Sequence, residues 1–253
     1  MGLTLVGTGL WDELDISLKG LVELEHSDAV YAEEYTSEKR EGTLKRLESL
    51  CGKEITLLPR EDVEDGKRLL EEAANSNVAL IVSGDPMIST THVSLKIEAF
   101  RRKIPFKIIH SSSILSAAIS ESGLHTYKFG RPVTLPFWSK NYKPTSTYDV
   151  ILENRKLGLH TLLFLDLKDG KGMEISEAVD LLEKMEKVKK GKLVSKKLEL
   201  IILSRVGSPE QKISYGPIGD LKWKNLGEPP FIIIVPGKLH FTEEEALGVF
   251  PRI

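Results

Sequence analysis

VALIVSGDP, residues 78–86, is the stretch on which the fold turns. Val78 to Val82 are all aliphatic, so the segment has no polar side to give to water and reads as a strand covered on both faces. A loop of Ser83, Gly84, Asp85 and Pro86 follows at once, and the next periodic stretch, His92–Lys103, is helical. Strand, glycine-bearing loop and helix in that order form the unit from which open α/β sheets are built.

Outward from that unit, Leu3–Val6, Ala29–Ala32, Ile55–Leu58 and Phe106–Ile109 are further short apolar runs. Helical patterns at Ile16–Leu24, Thr43–Leu50, Val63–Ala74 and Ile114–Ser120 alternate with them. Short loops between alternating strands and helices predict a parallel sheet with right-handed crossovers. The second half is less regular. Val133–Phe137 is strand-like, Tyr148–Lys156 helical, and HTLLFLDL (160–167) is a second buried strand. Ile175–Val188 is an amphipathic helix with Ile175, Ala178, Val179, Leu182 and Met185 on one side. Leu198–Leu203 and Phe231–Val235 complete the strands, and the stretches from Ile213 and from Gly219 suggest shorter antiparallel pieces between them. The expected fold is α/β with two α/β domains. Residues 1–112 hold a mainly parallel sheet flanked by helices, and residues 113–253 a mixed sheet.

Composition narrows the partners. Across 253 residues, 35 basic side chains nearly cancel 37 acidic ones, so no global field draws the chain to nucleic acid or membrane. The seven lysines of EKMEKVKKGKLVSKKLE (183–199) are interspersed with glutamates and read as a solvated helix end and loop. Cys51 stands alone, which fits a reducing compartment, and no run of about 18 apolar residues is present. A cytoplasmic protein is expected. His26, His92, His110, His125, His160 and His240 show no metal-ligand spacing, so no metal is expected. No nucleophile elbow or Walker loop appears.

Three loops carry the chemistry. After Leu3–Val6 comes GTGLWDELD (7–15), with Gly7 and Gly9 in G-x-G spacing. A dinucleotide fingerprint needs a third glycine, but Asp12 occupies that place; the acid half survives in Glu33 and Glu34. Alone, the loop reads first as a structural turn. SGDPMISTTH (83–92) lies where ligands sit in parallel sheets, with Asp85 placing a carboxylate at the rim. HSSSIL (110–115) opens a helix with three serines, one of them a helix cap or a backbone anion site.

Taken together, GTGLWD, VYAEEYTS (30–37), SGDPMISTTH, IHSSSILSA (109–117), YKFGRPVTLPFW (127–138), HTLLFLDLK (160–168), SRVGSPEQKI (204–213) and GEPPFIIIVPGKLH (227–240) resemble the diphthine synthase family. That family lies in the tetrapyrrole-methylase class of S-adenosylmethionine-dependent methyltransferases. The resemblance implies a homodimer of two-domain chains with the cofactor, S-adenosyl-L-methionine, in a cleft between domains and S-adenosyl-L-homocysteine as product. It implies methylation, and trimethylation in archaeal members, of the amine on the modified histidine of translation elongation factor 2. The family's cofactor contacts fall on Leu10, Asp85, Ile88, Ser113, Ile114, Leu165, Val206 and Phe231, the last through its main chain. Trp11 stands where the wider class often has glycine.

An amine must be neutral to be methylated, and the proton acceptor stays open among Asp85, a histidine and water. A trimethylated product is a permanent cation, for which Tyr35, Tyr127, Phe129 and Trp138 are candidate partners, with core packing the alternative for each. Three other functions remain to be weighed: a tetrapyrrole methylase, a non-catalytic adenosine-compound binder of the same fold, and a dehydrogenase. EYTS, TTH and YKFG argue against the first, intact cofactor loops against the second, and the missing glycine against the third.

Overall fold

The structure, a computed structural model, describes residues 1–33, 41–168, 170–221 and 225–250. It divides into two compact units, Met1–Ile114 and Leu115–Ile253.

The first unit runs β1 (Gly2–Gly7), α1 (Leu18–Glu25), β2 (Ala29–Ala32), α2 (Thr43–Cys51), β3 (Ile55–Leu57), α3 (Arg60–Asp65), α4 (Lys67–Ala73), β4 (Asn77–Val82), α5 (Val93–Arg101) and β5 (Phe106–Ile109). The chain then enters α6 (Ile114–Glu121). Its sheet has the order β3-β2-β4-β1-β5, with every pairing parallel. Successive side chains along a strand point to opposite faces. Leu3, Leu5, Val78, Leu80 and Val82 accordingly pack with Val63, Leu69, Leu70, Leu95 and Ala99 from α3, α4 and α5. Val6, Ala79 and Ile81 pack with Leu24, Leu47 and Cys51 from α1 and α2. Both faces are covered, which is why the strands read as unbroken aliphatic runs.

Two expectations change here. The helix expected over Val63–Ala74 is two helices, because Gly66 takes φ +66° between them; a Cβ there would lie 2.2 Å from Leu95 Cδ2. The helix expected from Ile16 starts at Leu18, where Ser17 accepts the Gly20 N–H at 3.0 Å on its hydroxyl. Ile16 packs instead against the α1–α2 face of the sheet.

The second unit contains β6 (Val133–Leu135), α7 (Ser146–Lys156), β7 (Thr161–Leu165), β8 (Leu167–Lys168), β9 (Lys171–Gly172), α8 (Ile175–Lys189), β10 (Glu199–Ser204), β11 (Lys212–Pro217), α9 (Ile218–Leu221), β12 (Phe231–Val235) and α10 (Phe241–Gly248). Its sheet runs β11-β10-β12-β7-β6, antiparallel except for β6 beside β7. The mixed sheet is as the sequence suggests. The piece from Gly219 is not a strand: Ile218–Leu221 is a turn of helix, and Lys222 to Lys224 lie outside the described residues. Against the sheet, α8 lays Ile175, Ala178, Val179, Leu182 and Met185, the face its periodicity marks.

The lysine-rich stretch after α8 is organised by Glu186. Its carboxylate accepts from the Tyr148 hydroxyl, Lys192 N–H and Val194 N–H, each at 2.8 Å. Burial works to raise its pKa, but these hydrogen bonds outweigh it and hold the acid below its ordinary value.

An α10 helix is the element the apolar pattern hides, because its most buried side chain is an acid. Glu243, fully buried, accepts from His125 N–H at 2.9 Å, His240 N–H at 2.7 Å and His160 Nε2 at 3.0 Å, and pairs with Lys128. The His160 Nδ1 accepts from Gly237 N–H at 2.9 Å, so the ring proton lies on Nε2, toward the acid. Burial alone raises the Glu243 pKa; Lys128, the two backbone amides and His160 outweigh it and bring it to about 2. Burial depresses His160 more than Glu243 raises it, keeping that ring neutral.

Both groups bind fewer protons folded than unfolded, so their contribution is present at neutral pH and lost on acidification. For Glu243 the gap between its ordinary 4.5 and about 2 is worth roughly 3 kcal/mol. Replacing Glu243 by Gln is expected to lower the unfolding free energy at pH 7 by roughly that amount. In urea titrations the difference from the parent should shrink as pH falls from 4.5 toward about 2. A pH-independent difference would contradict this account.

Candidate functional site

The loops after β1, β4 and β5 all leave the carboxyl edge of the first sheet. Helix α1 packs on one face and α5 on the other, so the chain after β1 and the chain after β4 part in opposite directions. Such a divergence opens a crevice where α/β sheets bind ligands. Here the loops are pinned together through backbone. Gly84 N–H donates to Gly9 O at 2.9 Å, and Gly9 N–H to Gly84 O at 3.3 Å. Gly7 lies beneath this bridge, where a Cβ would stand 2.5 Å from Gly84 O and 2.9 Å from both Pro86 Cδ and Ser111 Cβ. All three loops therefore meet at one glycine.

The turn after β1 closes on its own carboxylates. Asp12 caps a short 3₁₀ turn, Glu13–Asp15, by accepting Leu14 N–H at 3.0 Å. The Asp15 carboxylate takes Trp11 N–H at 2.6 Å and Asp12 N–H at 3.3 Å. In a dinucleotide fold such amides face a pyrophosphate. In this chain an aspartate already neutralises them, so Asp12 in place of the third glycine is a helix cap rather than a defect. Ser111 ties the third loop in, donating its hydroxyl to Asp15 O at 3.2 Å.

Asp85 is more enclosed than a carboxylate at the rim: its residue is 9% exposed. One oxygen accepts Met87 N–H at 3.0 Å and the other lies 2.7 Å from His110 Nδ1. Further along the loop His92 is buried, its Nδ1 donating to Pro86 O at 2.9 Å. Its Nε2, like Ser83 Oγ, is buried and has no hydrogen-bond partner among the described residues. Around these polar groups Ile88 is exposed, and Leu10, Ser113 and Ile114 are half-buried. Five of the eight residues singled out in sequence thus come together on the edge of one sheet.

The other three share an edge of the second sheet. Phe231 opens β12 opposite Ser204 at the end of β10, and Ile232 faces Phe164 of β7. Leu165 and Val206 therefore flank Phe231, each at or just past the end of its strand. Phe231 and Val206 are buried, and the Phe231 ring belongs to the core of its unit. The turn before Phe231 is held by Arg205, whose N–H and Nε donate to Pro230 O and Pro229 O at 2.9 and 3.0 Å.

Of the four aromatic candidates, Phe129 stands edge-on to His160 and Trp138 donates its indole N–H to Pro144 O at 3.0 Å while packing on the core. Tyr127 is exposed with its hydroxyl 2.8 Å from His125 Nδ1. Tyr35 lies outside the described residues. Among the described residues no group of three or more His, Cys, Asp or Glu side chains is placed to hold a metal ion, and no helix is long and apolar enough to cross a membrane.

With this geometry in place, the chain can be set beside known proteins. A family model described as tetrapyrrole (corrin/porphyrin) methylases matches residues 2–222. The diphthine synthase of Methanocaldococcus jannaschii is 41% identical over 250 residues, 97% of each chain. That of Methanosarcina barkeri is 41% identical over 251 residues, 97% of this chain and 94% of the relative. A crystal structure of diphthine synthase superimposes with a TM-score of 0.90 at 37% identity, covering 99% of this chain and 96% of that one.

The packing at Gly7 is directly testable. Gly7→Ala forces a methyl group against the Gly84 carbonyl and should cost about 1–3 kcal/mol in urea unfolding. A stability equal to the parent's would mean that the three loops have room to part.

Proposed function

The chain belongs to the tetrapyrrole methylase family and, within it, to the diphthine synthases, and from that premise we propose its substrate and site. It transfers methyl groups from S-adenosyl-L-methionine to the amine of the modified histidine of translation elongation factor 2, trimethylating it to diphthine. The observation that carries this is likeness to diphthine synthases at 41% identity along 97% of the chain, rather than over the cofactor loops alone. A cytoplasmic homodimer working without a metal is the accompanying expectation, supported by the family resemblance and by the single cysteine.

The proposed cofactor residues are Leu10, Asp85, Ile88, Ser113 and Ile114 in the first unit and Leu165, Val206 and Phe231 in the second. The donor set of the first unit suits this cofactor. Buried Asp85 and the Asp15 carboxylate match a sulfonium cation and oppose a pyrophosphate, while Leu10, Ile88 and Ile114 leave apolar surface for a purine. The same charge pattern argues against the dehydrogenase reading. When bound, S-adenosyl-L-methionine supplies a methyl carbon on a good leaving group, open to in-line displacement. The protein's task is then to hold the amine in attack geometry, worth several kcal/mol of barrier.

Incubation with labelled S-adenosyl-L-methionine and elongation factor 2 bearing the unmethylated intermediate should place label on the modified histidine. Cofactor binding without transfer would reject the proposal. Asp85→Ala removes a carboxylate and releases the loop amide of Met87, and should weaken cofactor binding at least about tenfold in calorimetry. Unchanged affinity would remove Asp85 from the cofactor set.

A further inference from the structure

Methyl transfer to an amine has a requirement that the cofactor residues do not meet. An ammonium group has no lone pair, so every methyl added must be preceded by removal of one proton. A proton acceptor needs a lone pair, a fixed direction, access to a large substrate, and a partner that steadies its charge once protonated.

His110 has all four. It follows β5 at the carboxyl edge of the first sheet, and its side chain is 70% exposed. Its Nδ1 lies 2.7 Å from Asp85 Oδ2. A carboxylate only accepts, so the ring proton sits on Nδ1 and the Nε2 lone pair is left free. Asp85 is itself held, because Met87 N–H occupies its other oxygen and the residue is 9% exposed. The contrast with the neighbouring histidine is informative. His92 also carries its proton on Nδ1, but at 1% exposure its Nε2 is closed off from any protein substrate. His160 is buried against Glu243.

We infer that His110 accepts the proton from the substrate amine and that Asp85 is the residue positioning it, an inference that rests on the methyltransferase reading above. Nε2 takes a proton from the ammonium, and the released lone pair forms the new N–C bond. The bond between the methyl carbon and sulfur breaks as it forms, its electron pair remaining on a neutral thioether. The imidazolium, facing the Asp85 carboxylate, returns its proton to water. Trimethylation releases three protons by this route and stops when no N–H remains.

The full chain, His110→Asn and Asp85→Asn are compared in single-turnover transfer to elongation factor 2 carrying the unmethylated intermediate, at saturating cofactor. Cofactor affinity by calorimetry and the ring-nitrogen shifts of histidine-labelled protein by ¹⁵N NMR accompany the rates. His110→Asn should slow transfer about 100-fold or more while cofactor affinity stays within about threefold. The parent should show His110 with its proton on Nδ1, and Asp85→Asn should move that proton toward Nε2, the site favoured in a solvent-exposed histidine side chain. Partial recovery of His110→Ala by added imidazole supports the assignment. A rate within about threefold of the parent overturns it, as does loss of rate matched by equal loss of cofactor affinity, or a parent His110 protonated on Nε2. Failure of the unaltered chain to transfer any methyl rejects the function itself. Transfer by the unaltered chain and His110→Asn alike rejects only the proton acceptor.

Discussion

Backbone touching backbone, Gly9 on Gly84, sets the spacing of the carboxyl edge of the first sheet. The contact exists because β1 and β4 are neighbours in register, Gly7 opposite Val82, so their loops start side by side. It survives because both glycines take a left-handed backbone, φ 77° at Gly9 and 65° at Gly84, and because Gly7 admits Gly84 O, Pro86 and Ser111 to the same small volume. Around that contact sit the buried Asp85, Ser111 bonded to the first turn, and His110 bonded to Asp85.

Much of this architecture is legible in the sequence, for a physical reason. Strands covered on both faces cannot alternate with polar residues, so Val78–Val82 and Thr161–Leu165 announce themselves. The break at Gly66 does not, since an isolated glycine in a helical pattern is tolerated; what ends α3 there is the seat of Leu95 from another helix. Helix α10 is hidden because a glutamate occupies its most buried position, inverting the usual pattern. At the site, SGDP and HSSSIL stand out as loops after buried strands. The six histidines look alike in sequence, and it is a carboxylate contact 25 residues away on an exposed ring that sets His110 apart from the buried His160.

Carboxylates, buried or half-buried, recur where the backbone is irregular. Asp15 gathers the amides of the first turn, Asp85 holds the loop after β4, Glu186 orders the chain past α8, and Glu243 joins the start of β7 to α10. Each accepts hydrogen bonds from main-chain N–H groups that no helix or sheet would satisfy. A buried amide without a partner costs about 1–3 kcal/mol, so one acid taking two such bonds is an economical way to fix a loop. Asp85 differs in sharing its charge with an exposed ring, which is what a structural acid does not need.

The Glu243 network spans a long stretch of chain, and this bears on how the second unit is made. Its partners lie 83 to 118 residues earlier, at His160, Lys128 and His125. During synthesis those groups leave the ribosome well before the acid that accepts their hydrogen bonds. His160, Lys128 and the His125 amide therefore lack this partner until α10 emerges. The first unit has no such debt to a distant segment among its described contacts at the glycine bridge, and can close as soon as β5 is out. Translation would accordingly present a finished first unit while the second still lacks the acid that satisfies its buried polar groups.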